Sequence, residues 1–356
     1  MQNREVQFRV GLVIPQQGPA GIFGPSCEAV AELAVAEINE RGGLHAREVT
    51  LDVIDGGASD ADIARDVARR LDSRCLDAVT GWHTSAVRNL LSPIVKDRIP
   101  YIYTSLYEGG ERTPGLFCTG ETPRIQIAPA LSWLRDQLGI RSWCLVGDDY
   151  IWPRGSAVAA RAYCRELQLD LKSEIYVPYG SDDFRAPVRQ ALDSGAQGVL
   201  MLLVGHDAVL FNREFARVGG HDRMARFSPL MEENMLLASG SGSTQSLYVA
   251  AAYFSSLATA GAIDLMDGYV GRFGPVAPPL NEMAESCYEG LLTLEALFQR
   301  AASAELGDLM ASSAAVGFDS PRGPVNMRDG HLDQRVYIAE ASCFDFEILD
   351  SLHPVG

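Results

Sequence analysis

Apolar residues fall along this chain in short dense runs, each followed by a stretch where they recur every three or four positions. The run over 8–14 predicts a buried strand. A helix over 26–41 follows, with Val30, Leu33, Ala34 and Ile38 on one face, Ser26 as its N-cap and Gly42-Gly43 as its stop. The alternation continues with strand 49–54, helix 60–71, strand 77–80, helix 85–96 and strand 101–104. Strands separated by helices predict a parallel, doubly wound sheet.

A second series has the same rhythm: helix 125–138, strand 143–147, helix 154–167, strand 173–177, helix 184–192, strand 198–204, helix 208–218 and strand 227–230. Past it lie strand 247–254, helix 284–300 and two late strands over 336–339 and 344–348. The last hundred residues hold too few strand–helix units for a core of their own, so they return to the first lobe and cross again near 322–329. The expected fold is α/β, with two doubly wound parallel-sheet lobes joined by a three-crossover hinge. Lobe I takes 1–120 plus about 255–325, and lobe II takes 121–254 plus about 326–356. A cleft between hinged lobes is the natural ligand site.

Composition narrows the function. The 356 residues are 47% hydrophobic and 21% charged, as in a globular protein. The run 199–204 is far shorter than the roughly 20 residues of a membrane helix. Net charge is −16, from 46 acids against 30 bases, and there is no basic patch to hold nucleic acid. Only Lys96 and Lys172 among the bases are lysines. The opening Met1-Gln-Asn-Arg-Glu-Val has no secretory-signal pattern, which gives a cytoplasmic expectation. Seven scattered cysteines without a Cys-x-x-Cys pair argue for a reducing compartment and against a zinc site.

Enzyme signatures are missing: no Gly-x-Ser-x-Gly, no Walker A loop, no His-Glu-x-x-His. The segment 18–24 is Gly-x-x-Gly-x-x-Gly, and its flanking prolines suit a stiff connector better than a phosphate loop. The chain is therefore expected to catalyse nothing and to hold neither cofactor nor metal. Asp148-Asp149 reads as a solvated turn at a strand end. An amidase built on Ser85 has no nucleophile motif behind it.

What remains is the lining of the strand ends, where ligands sit in open α/β sheets. Gly81-Trp82-His83-Thr84-Ser85 follows one strand, and Tyr103-Thr104-Ser105-Leu106-Tyr107 the next. In the second lobe Tyr150-Ile151-Trp152 follows a strand, and Val204-Gly205-His206 ends the most β-like run. Hydroxyls, backbone groups and aromatic rings with little charge suit a small neutral polar ligand. The candidate ligand residues are His83, Thr84, Ser85, Tyr103, Ser105, Tyr150, Trp152, Val204 and Gly205.

On these residues the sequence resembles the type I periplasmic-binding-protein family, in its amide and urea receptor branch. Within that branch it is most similar to cytoplasmic amide sensors that act as negative regulators of amidase operons. The likeness is carried by Ala34-Val-Ala-Glu-Ile-Asn-Glu-Arg-Gly-Gly43, Tyr107-Glu-Gly109, Gly147-Asp-Asp-Tyr-Ile-Trp-Pro-Arg154, Tyr253-Phe-Ser-Ser256 and Pro321-Arg-Gly-Pro-Val325. It implies a ligand held by Ser85, Tyr103 and Ser105, with Tyr150 and Trp152 closing the far side. His83, Ser105 and Trp152 depart from residues usual at those places. Glu232-Glu233 occupies the region from which amino acid receptors take an acid. The implied function is sensing of an acetamide-like ligand and control of an antiterminator-like regulatory partner. A homodimer is compatible with the sequence. The alternative is the solute-binding component of an ABC transporter for urea, short-chain amides or branched-chain amino acids.

Overall fold

In the computed structural model, which describes residues 7–353, the chain divides into two compact units. Unit 1 comprises 1–106, 110–120 and 258–334, and unit 2 comprises 107–109, 121–257 and 335–356. Residues 1–6, on which the leader reading rests, lie outside the described residues.

Unit 1 opens with β1 (Gln7–Ile14), α1 (Gly24–Glu40), β2 (Glu48–Asp55), α2 (Asp60–Asp72), β3 (Ala78–Gly81), α3 (Ser85–Val95), β4 (Tyr101–Tyr103) and β5 (Leu116–Cys118). The local causes are clearest in α2. Ser59 caps it by accepting from the Asp62 N–H, Ile63, Val67 and Leu71 form its buried stripe, and Arg69 and Arg70 sit in its last turn. α1 starts two residues before the expected Ser26. The Gly18–Gly24 segment winds into a 3-10 turn running into the helix, so Pro25 takes a first-turn position needing no N–H, and Ser26 Oγ donates back to the Phe23 carbonyl.

Unit 2 begins with α4 (Ile127–Leu138), β6 (Ser142–Asp148), α5 (Ile151–Glu166), β7 (Asp170–Val177), α6 (Arg185–Asp193), β8 (Gly198–Leu202), α7 (His206–Arg217), β9 (Ala225–Ser228), α8 (Glu233–Ser239) and β10 (Leu247–Ala251). β8, buried along its whole length, runs between β6 and β9. The chain then returns to unit 1 through α9 (Ala260–Phe273), α10 (Glu282–Arg300), α11 (Leu306–Ser312), β11 (Gly317–Ser320), β12 (Gly323–Arg328) and β13 (His331–Asp333). It ends in unit 2 with β14 (Val336–Ser342) and β15 (Asp345–Leu352).

Both sheets are mixed, where purely parallel ones were expected. The unit 1 order is β11-β12-β13-β5-β4-β3-β1-β2, with β11, β12 and β13 joined antiparallel. The unit 2 order is β15-β14-β10-β9-β8-β6-β7, with β14 antiparallel to β10 and to β15. The expected lobe boundary near 326 also moves, to 334/335. The cause is a tight hairpin in which Asp329 and Gly330, both at positive φ, turn β12 into β13. The Gly330 carbonyl then accepts from the Cys118 N–H, fastening this hairpin to the first sheet.

α10 packs against α1 and across β3 and β4. It carries the most polar part of the unit 1 core. Glu285, Glu289 and Arg322 are all buried; the Arg322 guanidinium pairs with Glu285 and lies 3.8 Å from Glu289. Ser320 Oγ donates to Glu289 at 2.5 Å, and Arg322 Nη1 donates to Gln334 Oε1 at 2.9 Å.

Candidate functional site

The carboxyl edge of the unit 1 sheet gathers His83, Thr84, Ser85, Tyr103 and Ser105. Gly81 ends β3 at φ +127, and a Cβ there would lie 2.3 Å from the Val13 carbonyl oxygen, so only glycine lets β3 turn this close to β1. The turn drives His83 inward, to 0% exposure. Its Nδ1 lies 3.0 Å from the Val13 carbonyl, which only accepts, so Nδ1 carries the proton. Nε2 is then the acceptor for the Tyr101 hydroxyl. Burial pushes His83 down to about 4, leaving a neutral ring at physiological pH.

The backbone of His83 is held as firmly. Its N–H donates to Ser105 Oγ at 2.9 Å, and its carbonyl accepts from Ser105 Oγ at 2.7 Å and from the Tyr103 hydroxyl at 3.0 Å. Thr84 caps α3, its Oγ1 accepting from the Val87 N–H at 3.4 Å. Thus His83, Tyr103 and Ser105 fix the loop, and they present Ser85, 1% exposed, at the first position of α3. One turn further on, buried Arg88 sits 5.2 Å from the Tyr103 ring centroid and pairs with Glu111 at 3.1 Å. Burial pushes the Glu111 carboxyl up, but hydrogen bonds from Thr113 and the Arg88 charge outweigh it and hold the group below its ordinary value. A neutral histidine and a neutralised arginine leave this edge without net charge from those groups.

The carboxyl edge of the unit 2 sheet gathers the other four candidates. Tyr150 is the N-cap residue of α5, half-buried, and Trp152 lies in the first turn at 2% exposure. Their ring centroids are 6.4 Å apart. Val204 is buried two residues past the end of β8, and Gly205, at φ +52, is the N-cap residue of α7. His206 is exposed.

Three features of this edge were not expected. Tyr179, after β7, has its ring 5.3 Å from Tyr150; it obeys the strand-end rule that singled out its neighbour. Asp148, read as solvated, is 0% exposed, and only Asp149 matches that reading, exposed and paired with Arg154 at 2.8 Å. The reason is that the Val204 N–H needs an acceptor, and Asp148 Oδ2 supplies it at 2.8 Å. Finally, Glu232 caps α8 by accepting from the Asn234 and Met235 N–H groups, while buried Glu233 accepts from the Ser255 N–H at 2.7 Å. Burial pushes Glu233 up to about 7.

The sequence profile described as periplasmic binding protein matches residues 7–345. The chain belongs to this periplasmic binding protein family. Solved structures similar to this family member include a solute-binding protein of an ABC transporter from Rhodopseudomonas palustris BisB5 in complex with 3,4-dihydroxybenzoic acid. It is 18% identical over 98% of both chains, with TM-score 0.85. A leucine-binding protein from Thermotoga maritima is 16% identical over 98% of this chain and 99% of its own, with TM-score 0.84. A branched-chain amino acid transporter substrate-binding protein from Streptococcus pneumoniae, in complex with isoleucine, is 16% identical over 97% of this chain and 99% of its own, with TM-score 0.80. At these identities the likeness is one of fold. Two α/β units with mixed sheets are the architecture of a periplasmic binding protein, and ligand binding without catalysis is the family's activity.

Proposed function

We propose that this chain is the solute-binding component of an ABC transporter and captures a small neutral solute with a planar carbonyl, an amide or a urea. The transport role is supported by two of these structural neighbours, transporter binding proteins in complex with 3,4-dihydroxybenzoic acid and with isoleucine. The observation that carries the ligand class is the charge balance beside Ser85. Arg88 is matched by Glu111 and His83 is neutral, so the Ser85 hydroxyl and the first-turn N–H groups of α3 face the ligand without a surplus cation to claim a carboxylate. At the carboxyl edge of the unit 2 sheet, Tyr150, Trp152 and Tyr179 offer aromatic rings, and Val204 and Gly205 offer backbone groups. In this role the protein works outside the cytoplasmic membrane.

A thermal-shift panel of acetamide, propionamide, butyramide, urea, benzoate, 4-hydroxybenzoate, leucine and isoleucine tests this. Amides or urea should raise Tm, by an amount equivalent to about 2.7 kcal/mol at a hundredfold excess over Kd. A shift with benzoates or amino acids alone would overturn the ligand class, and flat curves throughout would overturn the capture role. Ser85→Ala is expected to weaken amide binding by about 1–3 kcal/mol in titration calorimetry, because a buried carbonyl loses its donor. An unchanged Kd would remove Ser85 from the site.

A cytoplasmic amide sensor that restrains an antiterminator is the second reading; it rests on the sequence resemblance alone, in which Gly147-Asp-Asp-Tyr-Ile-Trp-Pro-Arg154 is shared by amide and urea receptors of both kinds. Amide-sensitive capture of an antiterminator encoded beside the gene would support it over transport.

A further inference from the structure

We propose that Asp148 and Asp207 share a single proton, and that this proton fastens three strand-end loops of unit 2 in their ligand-binding arrangement. The inference rests on the proposed capture role only in its last step, the link to ligand.

The geometry is that of two acids, each with one oxygen already used. Asp148 is the last residue of β6, and its Oδ2 accepts from the Val204 N–H at 2.8 Å. Asp207 lies in the first turn of α7, and its Oδ2 accepts from the Gly180 N–H at 2.7 Å, in the loop after β7. Both residues are buried, and the two carboxyls lie close enough for the charge of one to act on the other. Their remaining oxygens, Asp148 Oδ1 and Asp207 Oδ1, are buried and make no hydrogen bond of good geometry among the described residues, although the Ser181 N–H also bears on the Asp207 carboxylate. Two acceptors cannot satisfy each other, and two buried anions side by side repel. One proton between them removes both penalties. The start of α7 favours the charge on Asp207, which assigns the proton to Asp148. Burial, with the Asp207 charge beside it, holds Asp148 well above the usual carboxylate range.

The loops joined in this way are those after β6, β7 and β8, which carry Tyr150, Tyr179, Val204 and Gly205. Few other charges bear on the pair. From α7, His206 lies beside Asp207. The loops after β7 and β8 present the Gly180, Ser181 and Val204 N–H groups. Just past β6 and on α5, Asp149 and Arg154 pair with each other; Arg161 of α5 pairs with Glu174 of β7; ahead of and on α6, Asp183 pairs with Arg185. Losing the proton would put like charges under all three loops, so Asp148 and Asp207 are positioning residues for the ligand edge.

The test compares wild type with Asp148→Asn and Asp148→Ala. The carboxamide that Asp148→Asn introduces donates to Asp207 and accepts from the Val204 N–H, mimicking the protonated acid without titrating. An acid held above its unfolded value near 3.8 gives stability that is complete below that value and is lost as pH rises through the folded titration. Urea unfolding from pH 4 to 9 should therefore show wild type losing stability with rising pH, at a limiting slope of about tenfold per pH unit in the folding constant. Asp148→Asn should lack that component and exceed wild type at pH 8–9, while Asp148→Ala falls below both. Glu233 also titrates in this window, and Glu233→Gln removes its share from the comparison. Parallel wild-type and Asp148→Asn profiles would overturn the shared proton.

Acetamide titrations on the same proteins test the last step. Wild-type affinity should fall as pH rises, up to about tenfold per pH unit beyond the pair's titration, and Asp148→Asn should stay flat. Wild-type affinity constant with pH would overturn the link to ligand. Absence of acetamide binding at any pH would count against the proposed ligand, while the urea profiles still decide the proton.

Discussion

Arg322→Ala should destabilise unit 1 by about 3–5 kcal/mol, seen as a large drop in the urea midpoint with little change in slope. Arg322 is fully enclosed, and its guanidinium pairs with Glu285 and lies beside Glu289. Removing it leaves two acids of α10 facing each other without that cation, while Ser320 Oγ still reaches both. Neither acid can turn to water from the buried face of α10. The loss should reverse when the whole cluster is made apolar. Arg322→Met combined with Glu285→Met and Glu289→Met is expected to recover most of it, because the cost comes from orphaned charge rather than missing volume. A loss under about 1 kcal/mol for Arg322→Ala would mean that water reaches the cluster.

Trp152→Ala is expected to cost a similar amount, about 3–5 kcal/mol, through the cavity left behind. The ring is buried in the first turn of α5, beside Tyr150. It therefore cannot act as a detachable wall for the ligand alone. Trp152→Phe should cost less and report on ligand size: each methylene newly accommodated gains about 0.8 kcal/mol, so butyramide should improve relative to acetamide. Unchanged amide ranking in Trp152→Phe would place this side chain in the core and outside the ligand's reach.

The alternation of strands and helices was legible because the central strands are buried on both faces and each helix shows one apolar stripe, as β8 and α2 illustrate. The mixed edges were less legible, although Asp329-Gly330 is a strong hairpin signal. It follows a segment whose Val325 and Met327 are buried between exposed neighbours, the period of a strand. The helix α9 escaped because its apolar residues are split between a buried set, Leu265 and Tyr269, and an exposed set, Ile263 and Val270.

Strand-end position set Ser85 and Tyr150 at the carboxyl edges of their sheets, because that rule depends only on topology. It could not tell His83, Tyr103 and Ser105, which tie the loop together, from residues that merely line it. That distinction depends on which carbonyl each donor finds, Val13 or His83 itself, and the partners lie 20 to 70 positions away. Asp148 was misjudged for the same reason. Its acceptor role is set by a backbone N–H 56 residues downstream.

Both sheets also depend on late segments: β11 to β13 complete one, and β14 with β15 complete the other. A ribosome making this chain therefore releases neither half early. While translation continues past Ala251, β10 offers an open edge to any neighbouring nascent chain, and it stays open until Ser342 has emerged. Stop codons placed ahead of β14 should therefore yield aggregates rather than a shortened but working binder.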